Sequence, residues 1–350
     1  MLHHACRAAA FLIAIAICSS AMADPVADFY RGKSLMFYIR AAPGGNYDVY
    51  SRALAPYLTR HLPGNPAIVP INMPGGGGLV ALNYVANVAP KDGTAITMMT
   101  QSFPMDQALG LDKSLKVDLR TLNWIGNMSE TNEFFFVSKK SPTKTWRDAR
   151  DRVTVMAATG SGSITMELVA MFNNLLGTKF RIIFGYPSGP DMSLAMERGE
   201  VEGRSTSNPQ VLAPTIGEVI EKYNFLLQVG LRKTPQFAQT PLLSDLARDE
   251  TQRSVFNFIS KAVVIARPIV TNAGAPSERV AALRRAFDAA MRDPDFLADA
   301  AKLNLEIAST RGEELERLVN GILDAPPAVR TEVARAMQMR PDAMTPQGAQ

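Results

Sequence analysis

Two glycine-containing stretches stand where a strand-forming run gives way to a helix-forming one. They are Pro43-Gly44-Gly45-Asn46-Tyr47-Asp48, and Thr159-Gly160-Ser161-Gly162-Ser163 leading into Thr165. The first N–H groups of a helix lack partners and carry the positive end of its dipole. Such a junction can hold a carboxylate or phosphate without a basic side chain, and glycine lets the anion approach the backbone. In open α/β sheets, ligands sit beyond the carboxyl ends of the strands. Two arginines add charge nearby: Arg40 ends the strand before the first turn, and Arg204 precedes Ser205-Thr206-Ser207-Asn208. An arginine at a strand end in a cleft can grip a carboxylate with two parallel bonds, and Ser205 and Asn208 are further hydrogen-bonding groups. Each feature alone also fits a tight turn or a structural ion pair. Two such turns, one in each half of the chain, favour an anion cleft.

Other chemistry does not assemble. Gly32-Lys33-Ser34 resembles the end of a P-loop, but Ala27 stands where its first glycine belongs. The run Gly75 to Gly78 has no G-x-G-x-x-G continuation, since Ala81 holds the last position. There is no G-x-S-x-G elbow. Ser161 and Ser163 would have to use His61 as their histidine base, and His61 reads as a helix-end surface residue. A secreted α/β hydrolase using one of these serines is therefore the rival reading. No catalytic residue, metal or cofactor is expected. No Lys/Arg block or basic–aromatic stripe argues for nucleic acid.

The first 23 residues read as a leader that is removed. Arg7 is followed by an apolar run from Ala8 to about Cys18, then by Ser19, Ser20 and Ala21-Met22-Ala23 ahead of Asp24. That is a charged n-region, a short apolar h-region and a small-residue cleavage signal. The run is too short for a bilayer, which takes roughly 20 apolar residues. Cleavage after Ala23 removes both cysteines, His3 and His4, and takes the net charge from +4 to +3. Disulfides, thiolate catalysis and Cys/His zinc sites are thereby excluded from the mature chain, whose expected place is the periplasm.

The elements that would position the two turns alternate in an α/β manner. Strands are expected at 35–39, 67–71, 94–100, 134–137, 153–158, 180–184, 225–229 and 262–266. Helices are expected from Asp48 (with Pro56 kinking or shortening it), at 79–89, after Ser163, from Asp191 to Arg198, at 277–291, from Pro294 and at 310–323. The mature length suits two domains. The two halves are built alike, which predicts two α/β lobes: residues 24–133, a second lobe at 134–230, a return to the first at 231–340, and a frayed tail at 341–350.

Several short motifs, in order along nearly the whole mature chain, resemble the substrate-binding receptors of tripartite tricarboxylate transporters, the Bug or TctC type. They are Ala42-Pro43-Gly44-Gly45-Asn46-Tyr47-Asp48 with Arg52, Asn72-Met73-Pro74-Gly75-Gly76-Gly77, and Ala89-Pro90-Lys91-Asp92-Gly93. Gly160-Ser161-Gly162-Ser163, Gly199-Glu200-Val201-Glu202 and Ala275-Pro276-Ser277-Glu278 continue the series. The resemblance implies a type II periplasmic binding-protein fold with a ligand cleft between two α/β lobes. It also implies a monomeric receptor that takes a small organic acid and serves a separate two-subunit membrane permease. It places ligand carboxylates against backbone amides of Pro43 to Asp48 and of Ser161 to Thr165. A sensory receptor feeding a membrane kinase would share this binding chemistry. Arg40, Arg204 and Ser188-Gly189-Pro190-Asp191 depart from the commonest family pattern, and the two arginines are expected to shift preference among anions.

Overall fold

The run Leu35-Met36-Phe37-Tyr38-Ile39 is apolar on both faces, as a strand covered by helices on either side must be. In the computed structural model it forms β1 (Ser34–Ile39), with Leu35, Phe37 and Ile39 wholly buried. The structure describes residues 24–111, 113–158, 164–186, 189–207, 209–338 and 343–346. Beside β1 lie β2 (Ala67–Asn72) and β3 (Ala95–Met98), both parallel to it. Then come β10 (Pro268–Thr271), antiparallel, β4 (Asn123–Asn127) and the short β11 (Thr310–Arg311). The second sheet runs β12 (Met344–Pro346), β7 (Phe180–Phe184), β6 (Thr154–Ala158), β8 (Gly203–Thr206), β5 (Glu133–Ser138) and β9 (Tyr223–Val229). Strand β6 is parallel to β7 and β8, whereas β5 is antiparallel to both its neighbours.

Helices pack on each face. We number them α1 (Pro25–Tyr30), α2 (Asn46–His61), α3 (Leu79–Asn87), α4 (Phe103–Leu109), α5 (Asp148–Asp151), α6 (Ile164–Leu176) and α7 (Gly189–Arg198). The rest are α8 (Ile216–Lys222), α9 (Glu250–Val263), α10 (Ser277–Ala290), α11 (Pro294–Lys302), α12 (Gly312–Leu323) and α13 (Pro327–Ala336). One face of the first sheet buries Phe37, Met98 and Ile269 under α2, α10 and α11. The outer face of the second buries Phe136, Ala157 and Ile183 under Met192, Ala195 and Met196 of α7. The largest core joins the two lobes: Trp124 and Val270 of the first sheet and Phe135, Met156 and Ile182 of the second belong to one apolar cluster, filled by α4, α6, α9, α12 and α13.

The chain passes between the sheets at Met128 to Asn132, linking β4 to β5, and again at Val264 to Arg267, which precedes β10. These crossovers touch: Ala266 N–H donates to Ser129 O at 3.3 Å, Met128 N–H to Arg267 O at 3.2 Å, and Glu130 bridges Ile265 in antiparallel sense. The crossovers thus lie just ahead of β5 and just ahead of β10.

Some elements differ from expectation. Where a strand is expected at 262–266, Ala262 and Val263 end α9 and Val264 to Ala266 belong to the crossover, because Val255, Phe258, Ile259, Ala262 and Val263 form a buried stripe at helical spacing; the strand is β10, just beyond. Residues 203–206, absent from the expected strands, form β8 between β5 and β6. Pro56 neither ends α2 nor shortens it, and the helix runs on to His61 because Tyr57 and Leu58 are buried, Tyr57 against Phe296 of α11. In the tail expected to fray, Met344–Pro346 pairs with β7. The expected leader, residues 1–23, lies outside the described residues, and no described helix is long and apolar enough to cross a membrane.

Candidate functional site

A cleft of about 930 Å³ opens between the two sheets. Its first wall is the start of α2. Gly44, at a φ of 78°, turns the chain from β1 into the helix, a backbone state that suits glycine. Gly44, Gly45 and Asn46 line the cleft, with Val49 and Tyr50 one turn on. The leading N–H groups of this 16-residue helix thus border it. Asp48 holds the turn from behind: its buried carboxylate accepts from Gly44 N–H at 2.9 Å, Arg52 Nε at 2.8 Å and Asn72 Nδ2 at 2.8 Å. Burial works to raise its pKa, but these donors outweigh burial and hold the carboxyl below its usual value.

The second wall is α7 and β8. Gly189 and Pro190 open α7 on the cleft, and Ser193, Leu194 and Glu197 follow along it. Arg204, only 5% exposed, lies on β8. Its Nε donates to Ser193 Oγ at 3.1 Å and its Nη1 to Ser205 O at 3.1 Å, while the guanidinium stands 5.5 Å from the Phe136 ring centre. Burial pulls its pKa down to about 10, which leaves it cationic at neutral pH.

The crossovers form the floor, contributing Ser129 and Thr131 from one and Arg267 from the other. Arg267 is 7% exposed. Its Nη1 donates to Ala266 O at 2.6 Å, and its guanidinium lies 4.8 Å and 4.9 Å from the ring centres of Tyr47 and Tyr50. Its Nε is buried with no partner. Under the floor, Glu133 accepts a hydrogen bond from Ser205 Oγ, which lies 2.8 Å from Thr165 Oγ1. Burial pushes the Glu133 pKa up to about 7, against the pull of the Ser205 bond, Arg204 and Arg267. Glu306, on the rim, is also raised by burial and partly restrained by Arg267.

Of the residues singled out in the sequence, Gly44, Gly45, Asn46 and Arg204 line the cleft. Asp48, Thr165 and Ser205 stand behind its walls, and Pro43 is exposed beside the turn. Arg40 lies to one side: its Nη2 donates to Gly77 O at 2.7 Å, and its guanidinium stacks 4.2 Å from the centre of the Tyr47 ring. Ser161, Gly162, Ser163 and Asn208 lie outside the described residues. Sequence reasoning missed Arg267 and the start of α7. The second carried a signal, since Gly189-Pro190 follows β7 as another strand–turn–helix junction. For Arg267 the only local sign was an arginine between two apolar runs.

The arrangement suits anion binding: two buried cations, two helix starts and several hydroxyls face one space. Among the described residues of the cleft no serine meets a histidine: His61 lies at the far end of α2, 2.8 Å from Asp293. Among the described residues no group of His, Cys, Asp and Glu could hold a metal ion.

No family model and no curated protein matches the sequence. Solved structures do. A TctC solute-binding protein from Polaromonas superposes with a TM-score of 0.68 at 18% identity, covering 87% of this chain and 99% of that one. The periplasmic binding protein BugD gives 0.62 at 18% identity, over 90% and 100% of the two chains. MatC from Rhodopseudomonas palustris, solved with bound malate, gives 0.59 at 18% identity, over 87% and 98%. At such identity the likeness is one of fold: this chain has the two-lobe α/β fold of the TctC- and Bug-type periplasmic solute-binding proteins.

Proposed function

We propose that the protein is an extracytoplasmic receptor of the tripartite tricarboxylate transporter family that binds a small organic acid and delivers it to a two-subunit membrane permease. The observation that carries this reading is the cleft itself, in which the α2 start on one lobe faces Arg204 and the α7 start on the other, above Arg267. A carboxylate there contacts both lobes, and only contact with both favours a closed form over an open one. The adjoining crossovers are where such a closure would bend. The ordered motifs of the sequence, the shared fold and the malate held by MatC support the assignment, and the N-terminal leader supports a periplasmic location. The receptor acts as a monomer, makes no covalent bond and needs no cofactor.

The test is a thermal-shift screen of the mature chain against mono- and dicarboxylates, confirmed by calorimetry. A ligand at 100 times its Kd adds about 2.7 kcal/mol to stability and raises Tm. A folded sample that responds to no organic acid sinks the proposal.

A further inference from the structure

Glu133 is a buried carboxyl placed under both cleft arginines. It is 4% exposed, and its hydrogen bond comes from Ser205, not from a guanidinium. Arg204 directs its bonds to Ser193 and Ser205 O, Arg267 directs one to Ala266 O, and Arg267 Nε has no partner. Both arginines line the cleft, which Glu133 does not, and both act on the Glu133 charge. They are cations shared between an internal carboxyl and whatever anion occupies the cleft.

Resting on the receptor reading above, we infer that anion capture is coupled to proton uptake: the arriving carboxylate takes Arg204 and Arg267 as its counter-charges, and Glu133 is protonated in exchange. The proton comes from solvent and adds to a Glu133 carboxylate oxygen, and no bond to the ligand forms. Two anions that share one pair of cations raise each other's pKa. The ligand stays ionised because it also meets the helix starts and solvent. Glu133, enclosed and held by a single hydroxyl, takes the proton. Burial already lifts its pKa to about 7, so a further rise falls in the neutral range. The surrounding groups leave it in that role. β8 supplies Arg204 and Ser205, α6 supplies Thr165, and β9 supplies Gln228, which is tied to Asn132. Arg267 comes from the second crossover with Glu306 beside it, and Glu130 is 3.7 Å from Arg232.

The experiment titrates the mature protein with acetate, succinate, malate, adipate and benzoate by calorimetry. Each is measured at about pH 6 and about pH 8.5, in buffers of different ionisation enthalpy. The expected result is a fraction of a proton taken up per ligand bound. Kd becomes about tenfold weaker at the higher pH for each unit by which binding raises Glu133. Glu133→Gln, which keeps an acceptor for Ser205, should bind with neither the uptake nor the pH dependence. Binding without proton uptake in the wild type overturns the inference with no need of the variant, and so does uptake that persists in E133Q; the receptor reading survives both. If no probe binds either protein at either pH, the receptor reading falls and takes the inference with it.

Discussion

Asp48 shows how a residue can govern a cleft it does not line. Its carboxylate gathers the Gly44 N–H, the Asn72 amide and the Arg52 guanidinium, and so fixes the turn that presents the α2 start. Asp48→Ala leaves the Gly44, Arg52 and Asn72 donors without their acceptor and should cost about 1–3 kcal/mol, read by urea denaturation. The folded pKa is depressed, so the wild-type contribution is full above the usual 3.8 and is lost as pH falls through the lower folded value. The stability gap between wild type and variant should therefore close in acid. Anion affinity should fall in the variant although the side chain touches no ligand.

At the scale of elements, the site depends on β8 lying tightly between β5 and β6. Gly203 sits opposite Val137 and Met156. A Cβ there would lie 2.7 Å from Val137 Cγ1 and 3.0 Å from Met156 Sδ, and closer still to Phe136 O. Gly203→Ala must push the strand outward and should destabilise the fold by about 1–3 kcal/mol. Because Arg204 and Ser205 follow directly, the same change should weaken anion binding in calorimetry under conditions where the variant remains folded. Arg204→Ala should lose binding with a smaller change in the strand pairing, which separates charge from placement.

The whole molecule is a cleft in front and a common core behind. That core holds residues of α6, packed on the second sheet, and of α4 in the first lobe, and Glu167 of α6 feels the charge of Asp106 of α4. Glu167 Oε2 is buried without a hydrogen-bond partner. Burial first, and the Asp106 charge second, push its pKa up to about 8. A raised folded pKa means that its contribution is full below the unfolded 4.5 and is lost as pH rises towards 8. Glu167→Gln cannot ionise. Its Tm relative to wild type should therefore improve steadily between those two pH values, as scanning calorimetry would record. A constant difference across the range would show that Glu167 does not carry the charge strain at the lobe interface.

Much of this was legible locally. The absence of cysteine after residue 23, the single histidine after residue 23 and the missing nucleophile elbow spoke against whole classes of chemistry from composition and spacing alone. The strand–glycine–helix junction at Pro43 to Asp48 announced a glycine turn into a helix start, because unpaired N–H groups and glycine freedom are properties of a few adjacent residues. The apolar runs of β1, β6 and β7 declared a two-faced sheet for the same reason. Other features depended on residues far apart in the chain. Strand β8 and its Arg204 carry no strand signal of their own, since a short polar run becomes a strand only when neighbours on both sides supply hydrogen bonds. Arg267 looked like any arginine until the crossovers laid it on the cleft floor. Arg40, at an equally suggestive strand end, is instead held by Gly77 and Tyr47. Sequence by itself determined which elements form and which chemistries are available. Only the tertiary structure decided which charges are desolvated together in one cleft, because burial and Coulomb coupling depend on distance through space and not along the chain.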